Sequence, residues 1–446
     1  MTVITRFAPA PTGRLHVGNI RTALHNWLFA RQQGGQFVLR IDDTDGERSE
    51  ERFVQAIGDD LDWLGLNPDR EVRQSDRYKR YQARFEMLVA EGRIYPAYET
   101  AQELELKRKM LAGRGLPPVY DRAALQLTDA DRAKLEAEGT KPHWRFKLDH
   151  EHPIEWTDLI RGPQRFDPAT MSDPVIRRAD GSWLYMFPSV VDDIELGISH
   201  VVRGEDHVSN TALQIQMFEA LAAPPPAFAH EALLVGSEGK LSKRMGSLGV
   251  DAFRDGGIEP QAIIALLSRL GTSDPVEPIA EVAPLIAAFD FGRFGRAPAR
   301  FDEAELAQLN ARIIHQLPFD QVRARLPEGM DARAWDVVRP NLAVVADAAT
   351  WWRVITGPVD AVTPADAEER AYLDQAASVA ATIDWSADPW HALTAALKDA
   401  TGRKGKPLFL PLRRALTGHD HGPDMAALLP LIGRDAAIER LRAAAI

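Results

Sequence analysis

Residues 3–41 read VITRFAPAPTGRLHVGNIRTALHNWLFARQQGGQFVLRI. The run VITRFAP (3–9) is rich in β-branched and aromatic residues and stops at Pro9, which predicts a short strand. The triplet PTG then turns the chain. Val17, Ile20, Leu24, Trp27 and Leu28 follow at three- and four-residue spacing, one face of a helix. Gly34-Gly35 ends that helix, and QFVLRI (36–41) supplies a second strand. Strand, helix and strand within about forty residues form a right-handed βαβ unit of a parallel sheet.

His16, Gly18 and Asn19 fall at the carboxyl end of the first strand and the start of the helix. Open α/β sheets bind ligands at that edge. The unpaired N–H groups and dipole of the helix start favour phosphate there. Gly18 allows a base or ribose to lie against the backbone, and His16 can donate to a phosphate oxygen as charge builds on it. The plain alternative is a capped helix after a turn with a surface histidine.

Two later stretches carry further chemistry. GKLSKRMGS (239–247) is a Gly- and Ser-rich loop bearing Lys240, Lys243 and Arg244. A basic loop of this kind can close on a polyphosphate and stabilise a departing pyrophosphate. LYMFPSVVDDIELGISHVVRGEDHVSNT (184–211) reads as two apolar, strand-like runs joined by an acidic turn at Asp192-Asp193. No acid–base role is taken from that pair.

The remaining chain is mostly helical in pattern. YPAYETAQELELKRKMLAGRGLPPVYDR (95–122) interrupts the α/β alternation with a charged helix and a Gly/Pro-rich loop. Its Lys107, Arg108, Lys109 and Arg114 form a basic cluster suited to phosphate contact, or simply a solvated helix face. PQAIIALLSRLG (260–271) and FDEAELAQLNARIIHQL (301–317) are amphipathic helices, and helix signals dominate beyond residue 318.

Composition sets limits. The 446 residues carry a net charge of −11, with 45% hydrophobic and 26% charged residues. That length predicts about two to four domains. A negative total speaks weakly against nucleic-acid binding, which depends on local patches rather than on the sum. No apolar run is long enough to span a bilayer, no signal peptide is evident, and a cytoplasmic, non-membrane protein is expected. Cysteine is absent, which removes disulfides, thiol nucleophiles and cysteine-based zinc sites. His143, His150 and His152 are scattered near prolines and are expected to be solvated, not metal ligands.

The string Arg6, Ala8, Pro9, Pro11, Thr12, Gly13, His16, Gly18, Asn19 resembles the first signature of class I aminoacyl-tRNA synthetases, in its glutamyl/glutaminyl form. Lys240, Ser242, Lys243 and Arg244 resemble the second, Lys-Met-Ser-Lys-Ser. Tyr185, Asp192, Asp193, Arg203, Gly204, Glu205, Asp206 and His207 match a family stretch between them. The resemblance implies an α/β, Rossmann-like parallel-sheet catalytic domain, an inserted connective domain and an all-helical C-terminal anticodon-binding domain. The expected divisions are 1–98 and 184–252 for the catalytic halves, 99–183 for the acceptor-stem-binding insert, 253–317 for a helical stem-contact domain, and 318–446 for the anticodon domain.

The resemblance also implies roles. His16, Lys240 and Lys243 would be catalytic, and His16, Gly18, Asn19, Glu205, Lys243 and Arg244 would hold ATP with its Mg2+. Arg6, Ala8, Ala10, Asp42, Tyr185, Ser189 and Arg203 would form the amino-acid pocket. Lys107, Arg108 and Arg114 would meet tRNA, and Arg413, within RKGKPLFLPLRRALTG (403–418), an anticodon base. A guanidinium at position 6 pairs with a carboxylate in a bidentate way and matches an amide poorly, so glutamate is expected over glutamine. The implied reaction is ATP-dependent charging of tRNA(Glu), with tRNA(Gln) an open second acceptor. The enzyme is expected to be monomeric, to lack zinc, and to need tRNA before activation.

Three positions depart from the family: Ala10 stands where Ser is common, Asp42 where Glu is, and Ser189 where an Asn is. Each shortens a side chain or deletes a donor, so water is expected in the pocket where relatives hold side chains. A glutaminyl enzyme, a paralogue that glutamylates a tRNA base, and a tRNA-binding regulator with a degenerate core are the alternatives. The helical tail disfavours the first two, and the intact His16, Gly18, Lys240 and Lys243 disfavour the third.

Overall fold

The computed structural model describes residues 2–236, 249–360 and 363–446, with the backbone of Gly239–Lys240. Two compact units form: Met1–Arg254 with Ile263–Asp302, and Asp255–Ala262 with Glu303–Ile446.

The first unit opens with the expected βαβ pattern: β1 (Ile4–Phe7), α1 (Val17–Gln32) and β2 (Gln36–Ile41). β1 and β2 are parallel, with Ile4 opposite Gln36, and β2 pairs in parallel with β3 (Arg70–Arg73). Val17, Ile20, Leu24, Trp27 and Leu28 are all buried. Phe37, Val38 and Leu39 are buried in succession, the mark of a parallel strand covered on both faces.

On the other side of β1 the Ser199 N–H donates to the Ile4 carbonyl at 2.9 Å, and the Ile4 N–H donates to Ser199 Oγ at 2.8 Å. These bonds set strand His200–Gly204 beside β1, and it pairs in parallel with Ala227–Glu231.

The stretch before it corrects an expectation. Met186–Leu196 is a helix, ended by Gly197 in the left-handed region at φ 70°. Only His200–Gly204 is a strand. Ser189, Asp192 and Asp193 recur at helical spacing, but Phe187 through Asp193 are all buried, so this polar stripe meets arginines inside the protein instead of solvent. Asp192 and Asp193 are not turn residues. They are interior helix positions met by arginines, which is why charge sits inside.

The insert contains the expected charged helix, Ala101–Gly113, started by a Thr100/Glu103 capping box. Strands Ile94–Ala97, His143–Phe146 and Val175–Arg177 form an antiparallel sheet, and Ile154–Asp158 pairs with Gly162–Phe166 as a hairpin. The three histidines differ from one another. His152 is exposed and His150 half-buried, but His143 is buried and accepts from Arg145 Nε at 3.2 Å. Strand alternation, not composition, turns His143 inward.

Among the described residues of Glu303–Ile446 every regular element is an α- or 3-10 helix. Trp335, Leu397, Leu412, Leu428 and Leu441 are fully buried there. Helices Pro260–Arg269 and Glu303–Ile314 occupy the stretches read as amphipathic.

Candidate active site

The carboxyl ends of β1, β2, His200–Gly204 and Ala227–Glu231 converge on one cavity of about 400 Å³. Its wall includes Arg6, Ala8, Ala10, His16, Gly18, Asn19, Asp42, Tyr185, Ser189 and Arg203. Residues scattered over nearly 200 positions thus share one surface because parallel strands bring their ends to one edge.

His16 is both cap and wall. Its Nδ1 accepts from the Gly18 N–H at 3.1 Å, and its own N–H donates to Asn19 Oδ1 at 3.2 Å, which closes a capping box. With Nδ1 used as an acceptor, the neutral ring carries its proton on Nε2. Partial burial lowers the His16 pKa and keeps that neutral form. A Cβ at Gly18 would lie 3.0 Å from His16 Cε1, so glycine is what lets the ring fold back. No acid occupies the first turn of α1, leaving its positive end open to an anion. The capped-helix and phosphate-donor readings of His16 are therefore the same geometry. Gly249 makes a backbone bridge to His16.

Three arginines shape the polar end. Arg40 is consumed internally: Nε and Nη2 hold Asp42 at 2.7 and 3.1 Å, Nη1 holds Asp193 at 2.7 Å, and Nη2 also reaches Ser189 Oγ at 3.1 Å. Arg6 spends only Nε, on Asp193 at 3.3 Å, and its terminal nitrogens have no hydrogen bond among the described residues. Arg203 uses Nη2 for Thr211 at 2.5 Å and Gln214 at 2.8 Å, and Nη1 likewise has no bond. Burial, followed by the nearby Arg6, pushes Arg203 down to about 10. Burial raises the Asp42 carboxyl to about 6. Two buried cations with unspent N–H groups face one space, a setting that favours a substrate carboxylate.

Residues 2–308 match the family "tRNA synthetases class I (E and Q), catalytic domain", and 311–445 match "Anticodon binding domain". The chain belongs to the class I glutamyl and glutaminyl tRNA synthetases. Among curated proteins it is similar to glutamate–tRNA ligase 1 of Rhizorhabdus wittichii, 70% identical over 99% of this chain and 100% of that protein. Glutamate–tRNA ligase 1 of Novosphingobium aromaticivorans is 67% identical over 99% and 100%. A crystal structure of a glutamate tRNA ligase from Elizabethkingia meningosepticum, in complex with its amino acid, superposes with a TM-score of 0.87 at 27% identity, covering 100% of this chain and 99% of that one.

Not every residue singled out from the sequence reaches the synthetase cavity. Glu205 turns away: its carboxylate accepts from Arg161 at 2.5 Å and from the Leu233 N–H at 3.2 Å. Lys243 and Arg244 lie outside the described residues. Lys240 is described by its backbone alone, paired with Val235. In the insert, Lys107 is held by Asp121 at 3.0 Å and Arg108 is 3.5 Å from Glu105. These two and Arg114 line a second cavity of about 450 Å³ with Leu104, Met110 and Tyr120. Arg413 donates Nη1 to the Pro423 carbonyl at 3.1 Å.

Sequence reading missed Arg21, Arg40, Asp193 as an arginine partner, and Glu231. Arg21 and Glu231 line the cavity, and Glu231 pairs with buried His25 at 2.5 Å. A charged residue inside an apolar strand or helix, as at Arg40 in FVLRI, was the available signal.

Proposed function

We propose that this synthetase is a glutamate–tRNA ligase. L-glutamate attacks the α-phosphate of ATP through its α-carboxylate, giving glutamyl-adenylate and diphosphate. The 3′-terminal ribose hydroxyl of tRNA then attacks the activated carbonyl and displaces AMP. The observation that carries this reading is the unspent guanidinium fork of Arg6 in a buried, doubly cationic pocket.

In this reading Arg6 and Arg203 take the side-chain carboxylate, with Tyr185, Ala8 and Ala10 shaping the space around it. Asp42 and Ser189 act through Arg40. His16 Nε2–H and the α1 N-terminus face the phosphates, and Gly18 and Asn19 shape the nucleotide's seat. Lys240, Lys243 and Arg244 stabilise the diphosphate as it leaves; what supports this is that Gly249, a few residues further along the chain, bridges His16. Catalysis is positioning and charge stabilisation, without a covalent enzyme intermediate.

ATP enters with Mg2+. Asp42 and Glu231 on the cavity wall are already engaged by Arg40 and His25. Asp206, also on the wall, is exposed and would be the carboxylate left to hold the ion beside the phosphates. The chain has no cysteine, and we expect no zinc. The residue divisions 1–98, 99–183, 184–252, 253–317 and 318–446, tRNA contacts at Lys107, Arg108, Arg114 and Arg413, a monomeric state and a cytoplasmic location complete the proposal. No helix among the described residues is long and apolar enough to cross a membrane.

Transfer of labelled glutamate to purified tRNA(Glu), and separately to tRNA(Gln), tests it. Charging of tRNA(Glu) alone makes the enzyme discriminating. Charging of tRNA(Gln) as well makes it the source of a misacylated product. Charging of neither refutes the reading.

A further inference from the structure

Behind Arg203 lies a buried histidine that the reaction above does not use. His230 is fully buried on strand Ala227–Glu231, and Asp158 is 2% exposed at the end of strand Ile154–Asp158 in the insert. His230 Nδ1 lies 2.5 Å from Asp158 Oδ2. The opposite nitrogen, Nε2, lies 3.3 Å from Arg203 Nε and 2.9 Å from Thr211 Oγ1.

These contacts dictate one tautomer. Arg203 Nε can only donate, so Nε2 must present a lone pair. Thr211 Oγ1 accepts from Arg203 Nη2, and its one proton lies between His230 Nε2 at 2.9 Å and the His207 carbonyl at 3.2 Å, so the Arg203 Nε donor is what requires the Nε2 lone pair. The ring proton then sits on Nδ1 and is given to Asp158. Burial, and the facing Arg203, hold His230 below its ordinary pKa although the Asp158 bond pulls it up.

Asp158 is itself fixed. Its Oδ1 accepts three backbone N–H groups, from Ile160 at 3.0 Å, Arg161 at 2.9 Å and His230 at 3.1 Å. Only Oδ2 faces the imidazole.

We propose that Asp158 and His230 are positioning residues for substrate recognition: together they lock the Arg203 guanidinium so that Nη1 faces the amino-acid carboxylate. This rests on the reading of Arg203 as a glutamate ligand. It makes a residue of the insert part of the specificity machinery of the catalytic half.

The geometry supplies an unusual test. In Asp158→Asn the amide oxygen keeps the three backbone donors, so the NH2 group must face His230 Nδ1. The ring is then driven to the Nε2–H tautomer, which points a proton at Arg203. The full-length enzyme with tRNA is assayed by ATP–diphosphate exchange, and folding is checked by thermal melting. Asp158→Asn is expected to raise the KM for glutamate about tenfold and to leave the KM for ATP within about twofold. Nitrogen-15 NMR of labelled histidine is expected to show the His230 tautomer inverted.

His230→Asn reaches Asp158 but not Arg203 and is expected to share the defect. His230→Gln puts an amide oxygen where Nε2 accepted and is expected to recover most of the affinity. A folded Asp158→Asn or His230→Asn variant with unchanged KM for glutamate, or with both KM values rising together, would overturn the proposal. Arg203→Gln is run beside them. An unchanged KM for glutamate in that variant overturns the Arg203 reading itself; an impaired Arg203→Gln with normal His230 variants overturns only the positioning role.

Discussion

Arg6 reaches Asp193 across 187 positions of chain, at 3.3 Å, with its Nε alone. The helix that carries Asp193 thereby orients the guanidinium while leaving its two terminal nitrogens for something else. Asp193 Oδ1 also takes Arg40 Nη1 at 2.7 Å, so one carboxylate oxygen sets two buried cations.

Arg6→Ala is therefore expected to lower kcat/KM for glutamate by about 100-fold or more, with little change in the KM for ATP. Steady-state charging of tRNA(Glu) at varied glutamate measures it. Normal glutamate use by a folded variant would show the pocket to be misassigned.

Asp42 and Ser189, two of the positions that depart from the family, both bond Arg40. Asp42→Glu and Ser189→Asn should then be coupled. Each single change disturbs Arg40, and the double variant is expected to differ from additivity by roughly 0.5–3 kcal/mol in glutamate kcat/KM. Strict additivity in the double-mutant cycle would break the proposed link through Arg40.

His16 caps α1 and is proposed to face the phosphates, and the two roles can be separated. His16→Ala is expected to lose about 1 kcal/mol of stability and most of kcat. His16→Asn restores a cap and with it the melting temperature, but not kcat. Lys243→Ala should lower kcat without changing the melting temperature. Recovery of kcat by Asn would reduce His16 to a cap.

Asp60 gives a pH signature away from the cavity. It is 2% exposed, Oδ1 takes Arg254 at 2.7 Å, and Oδ2 has no hydrogen-bond partner. Burial pushes its pKa up to about 6, from an ordinary 3.8. A raised folded-state pKa means that the proton stabilises the fold below about pH 4, and that this contribution is lost as pH rises through about 6. Asp60→Asn keeps the Arg254 acceptor and cannot ionise. Its stability relative to the natural chain should improve by on the order of 1–3 kcal/mol between pH 4 and pH 7. Urea unfolding at both pH values measures the difference, and a constant difference would refute the assignment.

Local order was legible in the chain because local physics makes it. Pro9, the spacing from Val17 to Leu28 and Gly34-Gly35 define strand, helix and strand without help from elsewhere. His16, Gly18 and Asn19 announce a helix start for the same reason. The Met186–Leu196 helix was harder to read: Ser189, Asp192 and Asp193 recur at helical spacing, but adjacent acids between apolar runs fit a turn equally well, and the stripe is buried against arginines. Sequence could not distinguish an exposed turn at Asp192-Asp193 from a buried ion-pair cluster. That choice depends on Arg6, Arg40 and Arg77 arriving from distant elements. The sequence by itself determined the βαβ start, the helical tail, the absence of cysteine chemistry and the residue types of the site. Tertiary structure alone decided which arginines are spent internally and which keep free N–H groups. Ion pairing between residues more than a hundred positions apart is set by packing, and no local pattern records it.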